Sequence, residues 1–150
     1  MEVSIVRQRV RELLDRSKRP AEERRASRRV QMDAATREYE TFLERIAVPL
    51  FKQIVNILRA ERYEFDVFTP GGSVRLMAAR GNDDYIELTL DTNGTAPKLL
   101  GRSSRSRGGN VMQTELVLNA TADIGALTEE DVLAFVLSEL EEFMKLDVRT

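Results

Sequence analysis

Residues 63–78 read YEFDVFTPGGSVRLMA, and the punctuation at their centre decides how the chain folds. Two runs rich in aromatic and β-branched residues flank a Pro-Gly-Gly step, the composition of a tight turn between antiparallel strands. Alternation tests this reading. A turn centred on Pro70-Gly71 sets Val67 opposite Val74, Phe65 opposite Leu76 and Tyr63 opposite Ala78, so one face is apolar and the other carries Glu64, Asp66 and Arg75. The same TPGGS stretch lacks both the Gly-Lys-Ser/Thr ending of a phosphate loop and the three-glycine dinucleotide pattern. It reads as a turn.

The period of two continues through YIELTLD (85–91), KLLGRSS (98–104) and VMQTELVL (111–118), which predicts a five-stranded antiparallel meander over 63–119. A three-residue loop, Gly81-Asn82-Asp83, aligns Leu76 with Leu88 and Val74 with Leu90, whereas a two-residue loop would mix Leu76 with Glu87 on one face. Asn93-Gly94 marks the next turn. A two-residue turn at Gly108-Gly109 sets Arg107 opposite Asn110, Ser104 opposite Gln113 and Arg102 opposite Glu115. The face carrying Glu64, Asp66, Arg75, Glu87, Thr89, Asp91 and Glu115 is expected to be wet.

On the C-terminal side, residues 128–146 predict an amphipathic helix with Thr128 as N-cap and Asp131 at the capping-box position. Its stripe of Val132, Leu133, Val136, Leu137, Leu140, Phe143 and Met144 is expected to cover the apolar face of the sheet. On the N-terminal side, residues 31–62 are helical, with Ala35, Tyr39, Phe42, Leu43 and Ile46 on one stripe, a break or kink at Pro49, and a broad apolar face from Leu50 to Leu58. Residues 1–30 form a basic helical arm in which Pro20 interrupts or restarts the helix and Ser17 is a candidate cap. The expected architecture is therefore one α+β domain over 1–150: an N-terminal helical region, a meander sheet, and a C-terminal helix packed on one sheet face.

The 150 residues contain neither cysteine nor histidine, which removes disulfides, thiol nucleophiles, zinc sites of the usual ligand types and histidine acid–base chemistry. Adjacent acidic pairs such as Asp83-Asp84 and Glu141-Glu142 diverge on a strand or helix and do not make a site. No enzyme, metal site or cofactor is expected. No apolar run is long enough to span a bilayer, and the start MEVSIVRQRVRELL lacks the order of a secretory signal, so no membrane association and a cytoplasmic location are expected.

The net charge of -2 conceals an asymmetry. Residues 1–29 hold ten Arg or Lys against five acids, and the rest of the chain is correspondingly acidic. Two features of the arm suggest partners. Val3, Val6, Val10 and Leu13, spaced three, four and three, form a short coiled-coil seam suited to self-association, with a homodimer favoured. Arg7, Arg9, Arg11, Arg24, Arg25, Arg28 and Arg29 are candidate anion or nucleic-acid contacts, unless they pair with Glu12, Asp15, Glu22 and Glu23.

The stretch GRSSRSRGGN (101–110) offers a second basic element, in which Arg105 and Arg107 at a hairpin tip are free to meet a partner. Ser103, Ser104 and Ser106 beside them are candidate phosphorylation sites. The favoured function is a non-catalytic, self-associating interaction module. A nucleic-acid-associated protein is the alternative, and an adaptor or chaperone for a protein partner is the third.

Overall fold

The computed structural model describes residues 1–79, 83–120 and 123–148. Helix α1 (Val3–Phe42) runs through a π-helical turn (Leu43–Ala47) into α2 (Val48–Ala60). Strands β1 (Phe65–Phe68), β2 (Ser73–Ala78), β3 (Tyr85–Asp91), β4 (Lys98–Arg107) and β5 (Asn110–Val117) follow, then a 3-10 turn (Ile124–Ala126) and helix α3 (Glu129–Val148). The sheet is antiparallel in the order β1-β2-β3-β4-β5. This is the expected α+β arrangement.

The two prolines within the helices behave differently from one another. Pro49 has no N–H for the carbonyl one turn back, and the chain widens ahead of it: the Val48 N–H bonds the Leu43 carbonyl, five residues away. The proline thereby falls in the first turn of α2, where its missing donor costs least. Pro20, by contrast, lies inside α1, which runs through it without a break. The expected interruption is absent because no tertiary packing exploits it there, and good helix formers on both sides keep the strand of i→i−4 bonds going. Ser17 is not a cap either; its hydroxyl donates back to the Leu13 carbonyl at 2.6 Å.

Helix α2 ends in a Schellman motif: the Tyr63 N–H reaches the Leu58 carbonyl at 2.8 Å and the Arg62 N–H the Arg59 carbonyl at 3.0 Å. Arg62 takes the left-handed conformation (φ 70°) that this motif requires.

Alternation of faces is as expected, but two registers differ by two residues from the sequence reading. Val67 pairs with Leu76 and Phe65 with Ala78, because the first turn is centred on Gly71-Gly72: the Ser73 N–H bonds the Pro70 carbonyl and Gly72 supplies φ 78°. Val74 pairs with Leu88 and Leu76 with Ile86, and the last pair of this ladder before the second connection is Met77 with Tyr85. The turn type proposed over Gly81-Asn82-Asp83 lies outside the described residues in its first two positions. The β4–β5 register is the expected one, with Arg107 opposite Asn110 and Arg102 opposite Glu115, and Gly108 and Gly109 both at positive φ.

One sheet face is covered by α2, over β1 and β2, and by α3, over β4. Phe51, Ile54 and Val55 of α2 and Val132, Val136 and Leu140 of α3 meet Val74, Leu76, Ile86, Leu88 and Leu99 in a single core. Thr128 and Asp131 form the expected reciprocal cap: Asp131 N–H to Thr128 Oγ1 at 3.3 Å, Thr128 N–H to Asp131 Oδ2 at 2.8 Å. The buried stripe of α3 is the expected one except at two positions. Leu137 is exposed, as is Ile57 of α2, while Phe135 is buried against Gly101, whose absent Cβ leaves room for the ring.

The opposite sheet face is not uniformly wet. Glu87 is buried there, held by Arg75 Nε at 2.7 Å, and the Arg75 guanidinium lies 4.0 Å from the centroid of the Tyr85 ring. Leu100 and Ser104 are buried on the same side.

Candidate functional site

Three surfaces carry the residues that sequence and structure single out. The first is the arm. No residue before Ala35 is buried, so the first thirty or so residues of α1 project from the body as a helix about 45 Å long. Val3, Val6, Val10 and Leu13 lie on one side of it with exposures between 46% and 73%. The same stripe continued toward the body carries Ser17, Pro20 and Arg24, so the apolar seam is confined to the outer half.

Arg7, Arg9, Arg11, Arg24, Arg25, Arg28 and Arg29 are all exposed. The ion pairs among the described residues lie in the body instead: Arg59–Asp66, Arg75–Glu87, Arg102–Glu115, Arg105–Glu139 and Lys145 with Glu141 and Glu142. The alternative pairing of the arginines with Glu12, Asp15, Glu22 and Glu23 is therefore not formed among them, and the arm keeps an excess of basic over acidic residues, ten against five over residues 1–29.

The second surface is the β4–β5 tip, where one expectation is overturned. Strand β4 continues to Arg107, three residues beyond Ser104, so alternation carries Arg105 to the helix-covered face. Arg105 is 7% exposed, with Nη1 3.8 Å from Glu139 Oε2 and its guanidinium carbon 5.9 Å from the centroid of the Phe143 ring. It cannot meet a partner at the tip. Ser103 is equally enclosed, donating to Glu139 Oε2 at 2.8 Å and lying 2.5 Å from Thr114 Oγ1. Buried Ser103 and Ser104 are closed to a kinase in the folded chain. Exposed Ser106 binds Asp84 Oδ1 through its N–H at 2.7 Å. Arg107 is exposed and makes no ion pair among the described residues, and Arg102 pairs with Glu115 at 2.9 Å.

The third surface, β5, was not among the candidate sites. It is an edge strand, and α3 stops short of it, leaving Asn110 to Leu116 exposed on both faces. The available signal is topological: the last strand of a meander is an edge, and this one carries Val111, Met112, Leu116 and Val117 with neither lysine nor proline to blunt it.

Between α2, β1 and α3 lies an open depression lined by Arg62, Tyr63, Phe65, Ala78, Asp84 and Phe143. Its side chains do not converge on a common point of chemistry, since Asp84 is engaged by Ser106 and Phe143 packs edge-on against Phe65 at 6.4 Å. Among the described residues no group of three His, Cys, Asp or Glu is arranged to hold a metal ion, and no helix is long and apolar enough to cross a membrane. The chain matches no protein-family model, no curated protein and no solved structure.

Proposed function

We propose that this chain is a non-catalytic interaction module that joins to a second copy of itself through the arm. One observation carries the reading: a helix of about thirty residues stands clear of the body, with Val3, Val6, Val10 and Leu13 uncovered along one side. A solitary helix that is polar around most of its circumference is only marginally stable in water, and the seam gives a second copy something to bury. The test is light scattering of the full chain against a Val6→Glu, Val10→Glu variant. A dimer or larger assembly that dissociates on dilution, and whose association through the arm is weakened at least tenfold by the variant, is expected. A mass that is monomeric at every concentration, and unmoved by the substitutions, defeats the reading.

The exposed arginines, in excess over the acids of the arm, favour a second reading, in which the arm holds a nucleic acid by its phosphates. Binding to duplex or single-stranded probes at low salt, lost steeply as salt rises and lost on changing Arg24, Arg25, Arg28 and Arg29 to Ala, is its signature. The arm has no aromatic residue before Tyr39 on which a base could stack, so contact would be with the backbone.

A further inference from the structure

We propose that β5 is a second self-association surface, at which two copies pair edge to edge, antiparallel, about a two-fold axis through Thr114. The inference does not rest on the arm.

The free edge has a definite hydrogen-bonding face. The Leu118 N–H donates to the Leu99 carbonyl at 2.8 Å, and Arg107 faces Asn110 across a two-residue turn. In an antiparallel ladder this fixes the alternation: the even-numbered residues of β5 turn their backbone groups to β4, and Val111, Gln113, Glu115 and Val117 turn theirs outward. Among the described residues nothing pairs with that edge. Strand β1, at the other edge, has only four residues and offers far less.

Symmetry then selects the partner and the register. When two copies of one strand pair about a two-fold axis normal to the sheet, facing residues must point to the same side, so the axis passes through a single residue position. Centred on Thr114, Met112 faces Leu116 on the side of the helices, Val111 faces Val117 on the other side, and Gln113 faces Glu115. Every apolar residue meets an apolar one, and all the outward N–H and C=O groups of Val111, Gln113, Glu115 and Val117 find partners. Centred on Glu115, two carboxylates would confront each other, which is destabilising. Centred on Gln113, Val111 would face Glu115 and the ladder would shorten. A sequence that reads apolar, apolar, polar, polar, polar, apolar, apolar from 111 to 117 is its own complement in one register only, and that favours a second copy over an unrelated peptide.

The exposure of the side chains agrees. Met112 and Leu116 sit on the helix side of the sheet but beyond the reach of α3, at 51% and 54% exposed. In the pairing they and their symmetry mates form two apolar pairs, one on either side of the facing threonines, between the two α3 helices. Thr114 faces its own copy in a position without direct ladder hydrogen bonds, where opposing Cα atoms approach to about 4.5 Å.

That approach supplies the test, because the chain has no cysteine of its own. A Thr114→Cys substitution places two thiols at a separation that a disulfide spans, whereas Met112→Cys places them four residues apart along the strands, out of reach. Both are made in the full chain carrying Val6→Glu and Val10→Glu, so that failure of the arm leaves the result intact. Under mild oxidation Thr114→Cys is expected to give a covalent dimer on a non-reducing gel and Met112→Cys at least tenfold less. A further Gln113→Pro change, which removes one outward donor and none facing β4, is expected to abolish the cross-link. No dimer with Thr114→Cys, equal cross-linking at both positions, or indifference to Gln113→Pro overturns the proposal.

Discussion

Tyr39 is where the arm is tied to the body. Its hydroxyl donates to the Gly72 carbonyl at the tip of the first hairpin, and its ring is buried. Burial, reinforced by the negative charge of Glu87, pushes the hydroxyl well above the ordinary phenol range, so it stays protonated and remains a donor. In the unfolded chain the same group ionises near pH 10. The stabilisation is therefore complete below about pH 10 and is lost above it, where the unfolded state releases a proton that the folded state keeps, at a slope of about 1.4 kcal/mol per pH unit. Tyr39→Phe is expected to cost about 1 kcal/mol at neutral pH, the worth of the hydrogen bond. Denaturant titrations from pH 8 to 12 should show the two curves converging above pH 10 and crossing by about pH 11, and parallel curves would rule this out.

The residue scale also shows what a sequence can hide. Tyr39 was readable as a core position from helical spacing, but its tie to a glycine carbonyl 33 residues away follows from tertiary geometry alone. Arg105 illustrates the converse. Alternation from Arg102 already carries it to the helix side, yet the Ser, Arg and Gly content of 101–110 is that of a loop, and composition gives no warning that the ladder continues to Arg107. Glu139, its partner, sits in the middle of an apolar helix face and gives no local signal of burial.

At the scale of elements, parity and register separate. Alternation of apolar residues determines which side chains share a face, and a shift of two residues leaves every one of those assignments unchanged. The faces of β1, β2 and β3 were therefore readable while their registers depended on turn lengths, which Pro70-Gly71-Gly72 leaves open by one position. The β4–β5 register was readable because Gly108-Gly109 admits one two-residue turn. Pro20 is the other element-scale lesson: proline forbids a buried, well-bonded helix interior, but on an arm bathed in water the Arg16 carbonyl it releases can be hydrated. The residue still weakens the arm, being about 3 kcal/mol less favourable than alanine in a helix interior. Pro20→Ala is expected to raise the helical circular dichroism signal and to slow amide exchange over residues 12–28 by at least tenfold, with the melting temperature of the body unchanged. Exchange in that segment as slow as in the core before substitution would show that something already holds the arm.

At the scale of the whole molecule, the arm and β5 have different consequences together than alone. Each, as proposed, is an isologous contact, closing on itself as a pair. A chain with one such contact stops at a dimer. A chain with two closes as four copies if the axes meet at right angles, and otherwise forms a larger ring or an open string. The balance is tuned by charge: ten basic residues lie in the first 29 while the rest of the chain is net acidic, so a crowded assembly brings arms near the bodies of neighbouring copies and is expected to be favoured at low salt. Sedimentation velocity distinguishes the cases. The unaltered chain is expected to exceed a dimer at high concentration, Val6→Glu with Val10→Glu to reduce it to a dimer held by β5, Gln113→Pro to reduce it to a dimer held by the arm, and all three substitutions together to give a monomer. If either single-surface variant is already monomeric, the surface it retains does not join copies, and the assembly has one interface instead of two.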